Sequence, residues 1–146
     1  MKKKGFVVIL FVAYLLAITY VLFFAETFGR TMATENFRYN IRPFKEIWRF
    51  IQYAETLGFR SVALNLGGNI LMFVPFGIFM GIFQGEKKRV WLATLWAFNC
   101  SLLIELSQLL SKVGSFDVDD IILNTLGGFI GIMVYKMFAS RSKREK

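Results

Sequence analysis

The chain has 146 residues, 55% of them hydrophobic, 17 Phe among them, and a net charge of +8. A soluble domain of that length could not bury so much apolar surface in one core, whereas lipid accepts it directly. His is absent and Cys100 is the lone cysteine, which excludes His-based acid–base catalysis, Ser-His-Asp triads, and disulfide frameworks or cysteine zinc sites within one chain.

Lys2, Lys3 and Lys4 open the chain, and an apolar run follows over residues 6–25. About 20 residues suffice to cross a hydrocarbon core of roughly 30 Å. The charged start resembles a signal peptide, but residues 26–30 read ETFGR and offer no A-x-A-like cleavage site. The run is therefore expected to stay as a first transmembrane helix. From 26 to 61 charges of both signs appear, with aromatics between them. Within that loop, 45–57 reads KEIWRFIQYAETL and spaces Ile47, Trp48, Ile51 and Ala54 by threes and fours, with Lys45, Glu46, Arg49 and Glu55 mostly elsewhere. Such spacing predicts an amphipathic helix, either lying in the membrane interface with Trp48 and Tyr53 at headgroup level or packed on the bundle as a linker.

Three further spans are predicted over 62–83, 90–110 and 117–138. The expected fold is one all-α domain, a four-transmembrane-helix bundle with an outer amphipathic interfacial helix. Pro75 stands midway along the second span, where neighbouring helices can satisfy the carbonyl it frees. Residues 86–89 form a basic turn, 111–116 a short polar one, and 141–146 a basic, fraying tail. Most of the 18 Lys and Arg flank the span ends that share a side with the N-terminus. The positive-inside bias then places both termini in the cytosol, in the plasma membrane, with 26–61 and 111–116 outside. It also accounts for the basic surplus without nucleic acid as a partner.

Depth arithmetic brings the polar groups together. At about 1.5 Å per residue, Asn65 and Asn69 lie about 5 and 10 Å inside the outer face, Gln108 and Glu105 about 5 and 9 Å, and Asp120 and Asn124 about 5 and 10 Å. Asn65/Asn69, Glu105/Gln108 and Asp117/Asp120/Asn124 are spaced by three or four, so each set shares a helix face. Amides can serve simply as interhelical glue, worth about 0.6 kcal/mol per pair. Glu105, Asp117 and Asp120 at one level need more: a cation, a ligand or the loop arginines must offset their repulsion. Gly77-x-x-x-Gly81 and Gly127-x-x-x-Gly131 predict close helix packing, within the monomer or between copies. Gly67-Gly68 predicts a loosened helix start open to close backbone approach.

At these residues the chain resembles the VanZ-like family, small membrane proteins named for a teicoplanin-resistance determinant. Asn40-Ile41-Arg42-Pro43-Phe44 is similar to the family's Asn-Leu-Ile-Pro-Phe loop. Asn65-Leu66-Gly67-Gly68-Asn69, running on to Phe73-Val74-Pro75-Phe76-Gly77, resembles its N-x-x-G-N-x-x-x-F-x-P-x-G helix. Glu105-Leu106-Ser107-Gln108, with Asp117, Asp120, Asn124 and Gly127, resembles its E-x-x-Q … D-x-x-D-x-x-x-N-x-x-G ending. The blocks fall in family order from about residue 36 to the C-terminus. Two departures stand out. Ser115 follows Gly114 where the family has an arginine, leaving Lys112 to stand in, and residues 78–81 lack a further proline. The resemblance implies low-level glycopeptide or lipoglycopeptide resistance exerted at the cell envelope. A phosphotransbutyrylase activity attached to some members finds no phosphate-cradling glycine loop here and no room for a coenzyme A domain.

The candidate ligand-binding residues are Arg38, Asn40, Arg42, Asn65, Asn69, Glu105, Gln108, Asp117, Asp120 and Asn124. Three functions fit them, and none requires an organic cofactor. In the first, a non-catalytic protein holds membrane lipid, a lipid-linked cell-wall precursor or a lipoglycopeptide at the outer leaflet. Arg38 and Arg42 would meet phosphate or carboxylate. In the second, an intramembrane hydrolase or transferase holds Mg²⁺ through Glu105, Asp117 and Asp120 and acts on a lipid phosphate. In the third, the polar groups only hold the bundle or a partner. Oligomeric state is left open.

Overall fold

The computed structural model describes residues 2–24, 37–85, 87 and 89–144. The expectations placed on 25–36, on Glu86 and Lys88 of the basic turn, and on the last two residues lie outside the described residues.

The elements run α1 (Lys2–Phe24), β1 (Tyr39–Asn40), α2 (Lys45–Gln52), α3 (Ala54–Leu57), α4 (Phe59–Val62), a π-helical stretch (Ala63–Gly67), α5 (Gly68–Gln84), α6 (Val90–Ser111), β2 (Phe116–Asp117) and α7 (Val118–Arg144). Four helical segments are long and apolar enough to cross a membrane: Lys4–Phe23, Phe59–Gln84, Val90–Ser111 and Val118–Ser140. The protein is an all-α membrane protein, and its spans fall where hydropathy placed them. Three boundaries differ. The second span begins at Phe59 rather than 62, because α4, the π turn and α5 continue into one another. The helix expected over 45–57 breaks at Tyr53 into α2 and α3. In the tail expected to fray, α7 runs on to Arg144.

Backbone proximity is what joins the spans. The most extensive packing is α5 against α7, followed by α6 against α7. A Cβ added to Gly127 would strike the carbonyl of Ile70, one on Gly131 the carbonyl of Val74, and one on Gly77 the carbonyl of Gly128. Gly128 faces the other way, against the Ala97 methyl of α6. The glycine seams therefore pack within the monomer. Lipid gives helices no hydrophobic reason to associate, so close backbone approach and dispersion must do it. Gly67 is a counter-example to the expectation from Gly67-Gly68: a Cβ there would meet nothing within 4 Å. The loosening appears instead as the π turn.

Helix α1 attaches by side chains. Phe11 meets Phe76, Phe79 and Phe83 with ring centroids 5.9, 5.2 and 5.2 Å apart. Ile18 and Leu22 join Phe73, Phe76 and Ala97 in the buried core. The Tyr14 hydroxyl donates to the Met72 carbonyl at 2.7 Å, in the turn where Pro75 offers no N–H to Leu71. At the far end of α1, Gln108 Nε2 donates to the Leu22 carbonyl at 3.0 Å.

Candidate functional site

All the polar machinery sits at one end of the bundle, where α1 and α6 finish and α5 and α7 begin. Two short loops meet there in parallel: Tyr39 pairs with Phe116 and Asn40 with Asp117, and Phe116 N donates to the Arg38 carbonyl at 3.0 Å. A tight turn delivers the second loop, with Lys112 in left-handed backbone at φ 56 and Gly114 at φ 118.

Asp117 caps α7. Its Oδ1 accepts the Asp119 N–H at 2.9 Å, the usual N-cap geometry for an aspartate. The same oxygen accepts Asn40 Nδ2 at 2.9 Å. Its own N–H donates to Glu105 Oε2 at 2.8 Å, which pins the start of α7 to α6. Burial pushes the Asp117 carboxyl above the ordinary carboxylate range, with smaller upward contributions from the Asp119 and Glu46 charges.

Asp119 supplies the cap that the N-cap residue of α2 does not. Helix α2 starts after Pro43-Phe44, with no Ser, Thr, Asp or Asn at its cap, and Phe44 lies in left-handed backbone at φ 65. Asp119, 1% exposed, reaches across from α7. Its Oδ1 accepts the Phe44 N–H at 2.5 Å, and its Oδ2 accepts those of Glu46 and Ile47 at 2.7 and 3.1 Å. Lys45 N–H goes to the Arg42 carbonyl at 3.4 Å. The first-turn donors that a helix leaves orphaned are thus met by a carboxylate more than 70 residues away, placed at the positive end of the helix dipole.

Docked in this way, α2 walls a cavity of about 220 Å³. Glu46, Ile47, Arg49 and Phe50 line one side, Asn65, Leu66, Asn69 and Met72 another, and Arg38, Gln108, Asp117, Asp119, Asp120 and Leu123 complete it, with Leu22, Gly114 and Ser115. Asn69 Nδ2 donates to Asp120 Oδ1 at 2.5 Å across the cavity wall, joining α5 to α7. Arg49 pairs with Glu46 at 2.5 Å. The apolar face expected on α2 is split: Ile47 and Phe50 turn to the cavity, while Trp48 and Ile51 stay exposed at 65% and 54%.

Of the ten residues singled out in the sequence, Arg38, Asn65, Asn69, Gln108, Asp117 and Asp120 line this one cavity. Asn40 stands behind it, bonded to Asp117. Arg42 is exposed and contributes a backbone N–H to Asn40 Oδ1 at 3.3 Å, not a guanidinium to the cavity. Glu105 and Asn124 are buried outside it. Glu105 holds Asp117 N, and Asn124 Nδ2 donates to Ser101 Oγ at 2.9 Å, tying α7 to α6. Glu105, Asp117 and Asp120 therefore do not form the ligand set drawn for Mg²⁺, and among the described residues no three His, Cys, Asp or Glu gather to hold a metal ion. Lys112 does not replace the family arginine in the cavity; its ammonium lies 5.1 Å from the centroid of the Phe37 ring. Asp119 and Glu46 are the residues that sequence reasoning left out of the site. The signal available for Asp119 was a predicted helix start with no capping side chain of its own.

Comparison with known proteins bears on the same segments. The VanZ/LLP1 family pattern matches residues 11–139, from within the first span to near the end of the fourth, with both loops between. The chain belongs to the VanZ/LLP1 family. One relative, the Protein VanZ of Enterococcus faecium, is 30% identical over 80 residues, which cover 53% of this chain and 48% of that protein. The match thus spans about half the length of that curated relative. No solved structure matches the chain. Within this VanZ/LLP1 chain the quoted sequence blocks have separable structural uses. Asn40, Glu105 and Asp117 join the loops to α7, and Asn69 and Asp120 form the cavity wall.

Proposed function

We propose that the protein is a non-catalytic envelope component that modulates susceptibility to teicoplanin-type glycopeptides by holding a lipid-linked or lipidated molecule in this cavity. The observation carrying the reading is the Asn69–Asp120 wall. It is a polar, partly buried contact between two membrane spans, opening on a cavity of about 220 Å³ rather than closing as packing. Gln108, Glu105 and Asn124 make interhelical bonds of the kind that hold a bundle, so the purely structural reading applies to them. It does not account for the cavity. The exposed aromatics beside it, Phe44, Trp48 and Tyr53, suit a helix resting at headgroup level, and the greasy walls of the spans would hold the ligand's tail.

The reading places both termini in the cytosol and the cavity on the outer face of the plasma membrane, following the basic flanks. In a Cys100→Ala background, Arg38→Cys on intact cells should react with a membrane-impermeant maleimide and Lys87→Cys should not. The reverse pattern would put the cavity on the wrong side for this function.

Function itself is tested by glycopeptide susceptibility at matched protein levels. Cells carrying the wild-type chain should tolerate more teicoplanin than cells carrying Asn69→Ala, which removes the neutral half of a hydrogen bond to a charged group. Such a loss weakens binding by about tenfold or more. Equal susceptibility of the two strains would leave the cavity without a role in resistance.

A further inference from the structure

The cavity occupies one end of the bundle, and the other end carries the basic surplus. Lys4, Lys87, Arg89 and Lys136 stand there, while the described acidic residues lie in α2, in α3 and around the cavity. Neither Arg89 nor Lys136 pairs with an acid among the described residues.

An apolar groove of about 800 Å³ runs between α6 and α7 towards that basic end. Trp91, Leu95 and Phe98 line its α6 side and Thr125 and Phe129 its α7 side, and Thr94 turns its hydroxyl back to the Val90 carbonyl at 3.0 Å. Thr125, Phe129 and Lys136 are spaced by four and seven, so they form one stripe along α7. Register then sets the cations level. Gly128 faces the Ala97 methyl and Asn124 bonds Ser101, so the two helices run antiparallel, and eight residues beyond Gly128 and Ala97 come Lys136 and Arg89. Each helix thus brings one cation to the mouth of the groove. From Lys136 to Thr125 the stripe rises about 16 Å at about 1.5 Å per residue, the depth of one leaflet in a hydrocarbon core roughly 30 Å thick. Phe129 also begins a second apolar strip on α7, which passes Met133 and ends at Lys136, Met137 and Ser140.

Another helix is a poor occupant for this groove. The glycines that let backbones approach are engaged within the monomer, and the groove presents exposed, bulky Trp91, Leu95, Phe98 and Phe129. A second copy inserted the same way would also bring two Arg89 and two Lys136 to one level, like charge against like. Flexible acyl chains suit an irregular apolar groove, and an anionic head matches the cations at its mouth.

We propose that the α6–α7 groove binds an anionic phospholipid, its phosphate between Arg89 and Lys136 and its chains on either side of Phe129. The site is separate from the cavity at the other end, and its occupation does not depend on the function proposed there.

Trp91 lies in the groove and reports on it once Trp48 and Trp96, the other two tryptophans, are changed to Phe. The full chain so altered is reconstituted in phosphatidylcholine bilayers, with a rising share of the lipid in both leaflets replaced by brominated phosphatidylglycerol or brominated phosphatidylcholine, and Trp91 quenching is followed. A cation at the membrane surface is worth about fivefold in affinity for an anionic head. With two at the mouth, phosphatidylglycerol should be preferred about tenfold or more. Lys136→Gln should cut that preference about fivefold, whereas Lys4→Gln, the same loss of charge on α1 at the same end, should leave it unchanged. Arg89→Gln, in an exposed turn, repeats the test should Lys136→Gln fail to fold. Equal quenching by the two brominated lipids overturns the proposal. Equal losses in Lys136→Gln and Lys4→Gln overturn it too, because the preference would then belong to the whole basic end rather than to a site. Trp91 shielded from both lipids in a chain that runs as a dimer would give the groove to a second copy and overturn it as well.

Discussion

Asp119→Ala should release α2 from the bundle while leaving the four spans folded. The carboxylate meets three backbone N–H groups of a helix start that has no cap of its own. Removing it breaks three part-buried hydrogen bonds to a carboxylate and leaves their donors to water, at a combined cost of about 3 kcal/mol, since a bond to a charged group is worth about 1.5–3 kcal/mol and solvent access offsets part of the loss. It also removes a negative charge from the positive end of the helix dipole, worth about 0.3–1 kcal/mol more. Little else fastens the segment, since neither α2 nor α3 has a buried residue. A local cost of about 3 kcal/mol corresponds to roughly a hundredfold rise in opening. Hydrogen exchange at Phe44, Glu46 and Ile47 should accelerate by about that factor, while the α5–α7 amides keep their protection. Asp119→Asn should be only partly milder. Its carboxamide keeps one acceptor but turns an NH₂ towards N–H groups that also donate. The same variants should abolish cavity binding, because Glu46, Ile47, Arg49 and Phe50 leave with the helix. Unchanged exchange at those three amides in Asp119→Ala would show that something else holds α2 in place.

This device also marks the limit of what the sequence discloses. The four spans were legible because an apolar run of twenty residues has no competing explanation in a chain of this size. The glycine seam was legible because small residues four apart on two helices have one economical use. Asp119 was not, since its partners are backbone groups, and every residue carries the same backbone. Only the missing cap at Pro43-Phe44-Lys45 hinted that a donor-rich helix start needed an outside acceptor.

A second misreading has a geometric cause. Asp120 and Asn124, four apart, lie close on one face of α7, and the sequence sent both to one site. That face lies between two neighbours: Asp120 meets Asn69 of α5, and Asn124 meets Ser101 of α6. A shared helix face does not imply a shared partner when the helix sits in the middle of a bundle. Asp117 is a different case. It precedes α7 as its cap, so its three-residue spacing from Asp120 is not a helical one, and the two reach the cavity by different routes.

The glycines at the centre of that bundle carry the other large effect. Gly131→Ala should lower the melting midpoint of the detergent-solubilised chain by about 10 °C or more, and Gly131→Val should eliminate the folded, monodisperse species. The physical reason is that a Cβ on Gly131 would strike the Val74 carbonyl and come within 3.0 Å of Gly77 Cα. Both obstacles are backbone, and no rotamer change relieves them. Overpacking a core usually costs about 1–3 kcal/mol because side chains can shift. Here two helices must move apart along the most extensive interface in the molecule, so the cost falls at or above the top of that range. Each kcal/mol moves the midpoint of a chain this size by about 2–8 °C. Gly5→Ala is the control. It lies in α1, a Cβ there meets nothing within 4 Å, and helix propensity favours alanine by about 0.5–1 kcal/mol. If Gly131→Ala and Gly5→Ala melted alike, close approach of α5 and α7 would not be what joins the spans, and the cavity that their outer ends frame would lose its foundation.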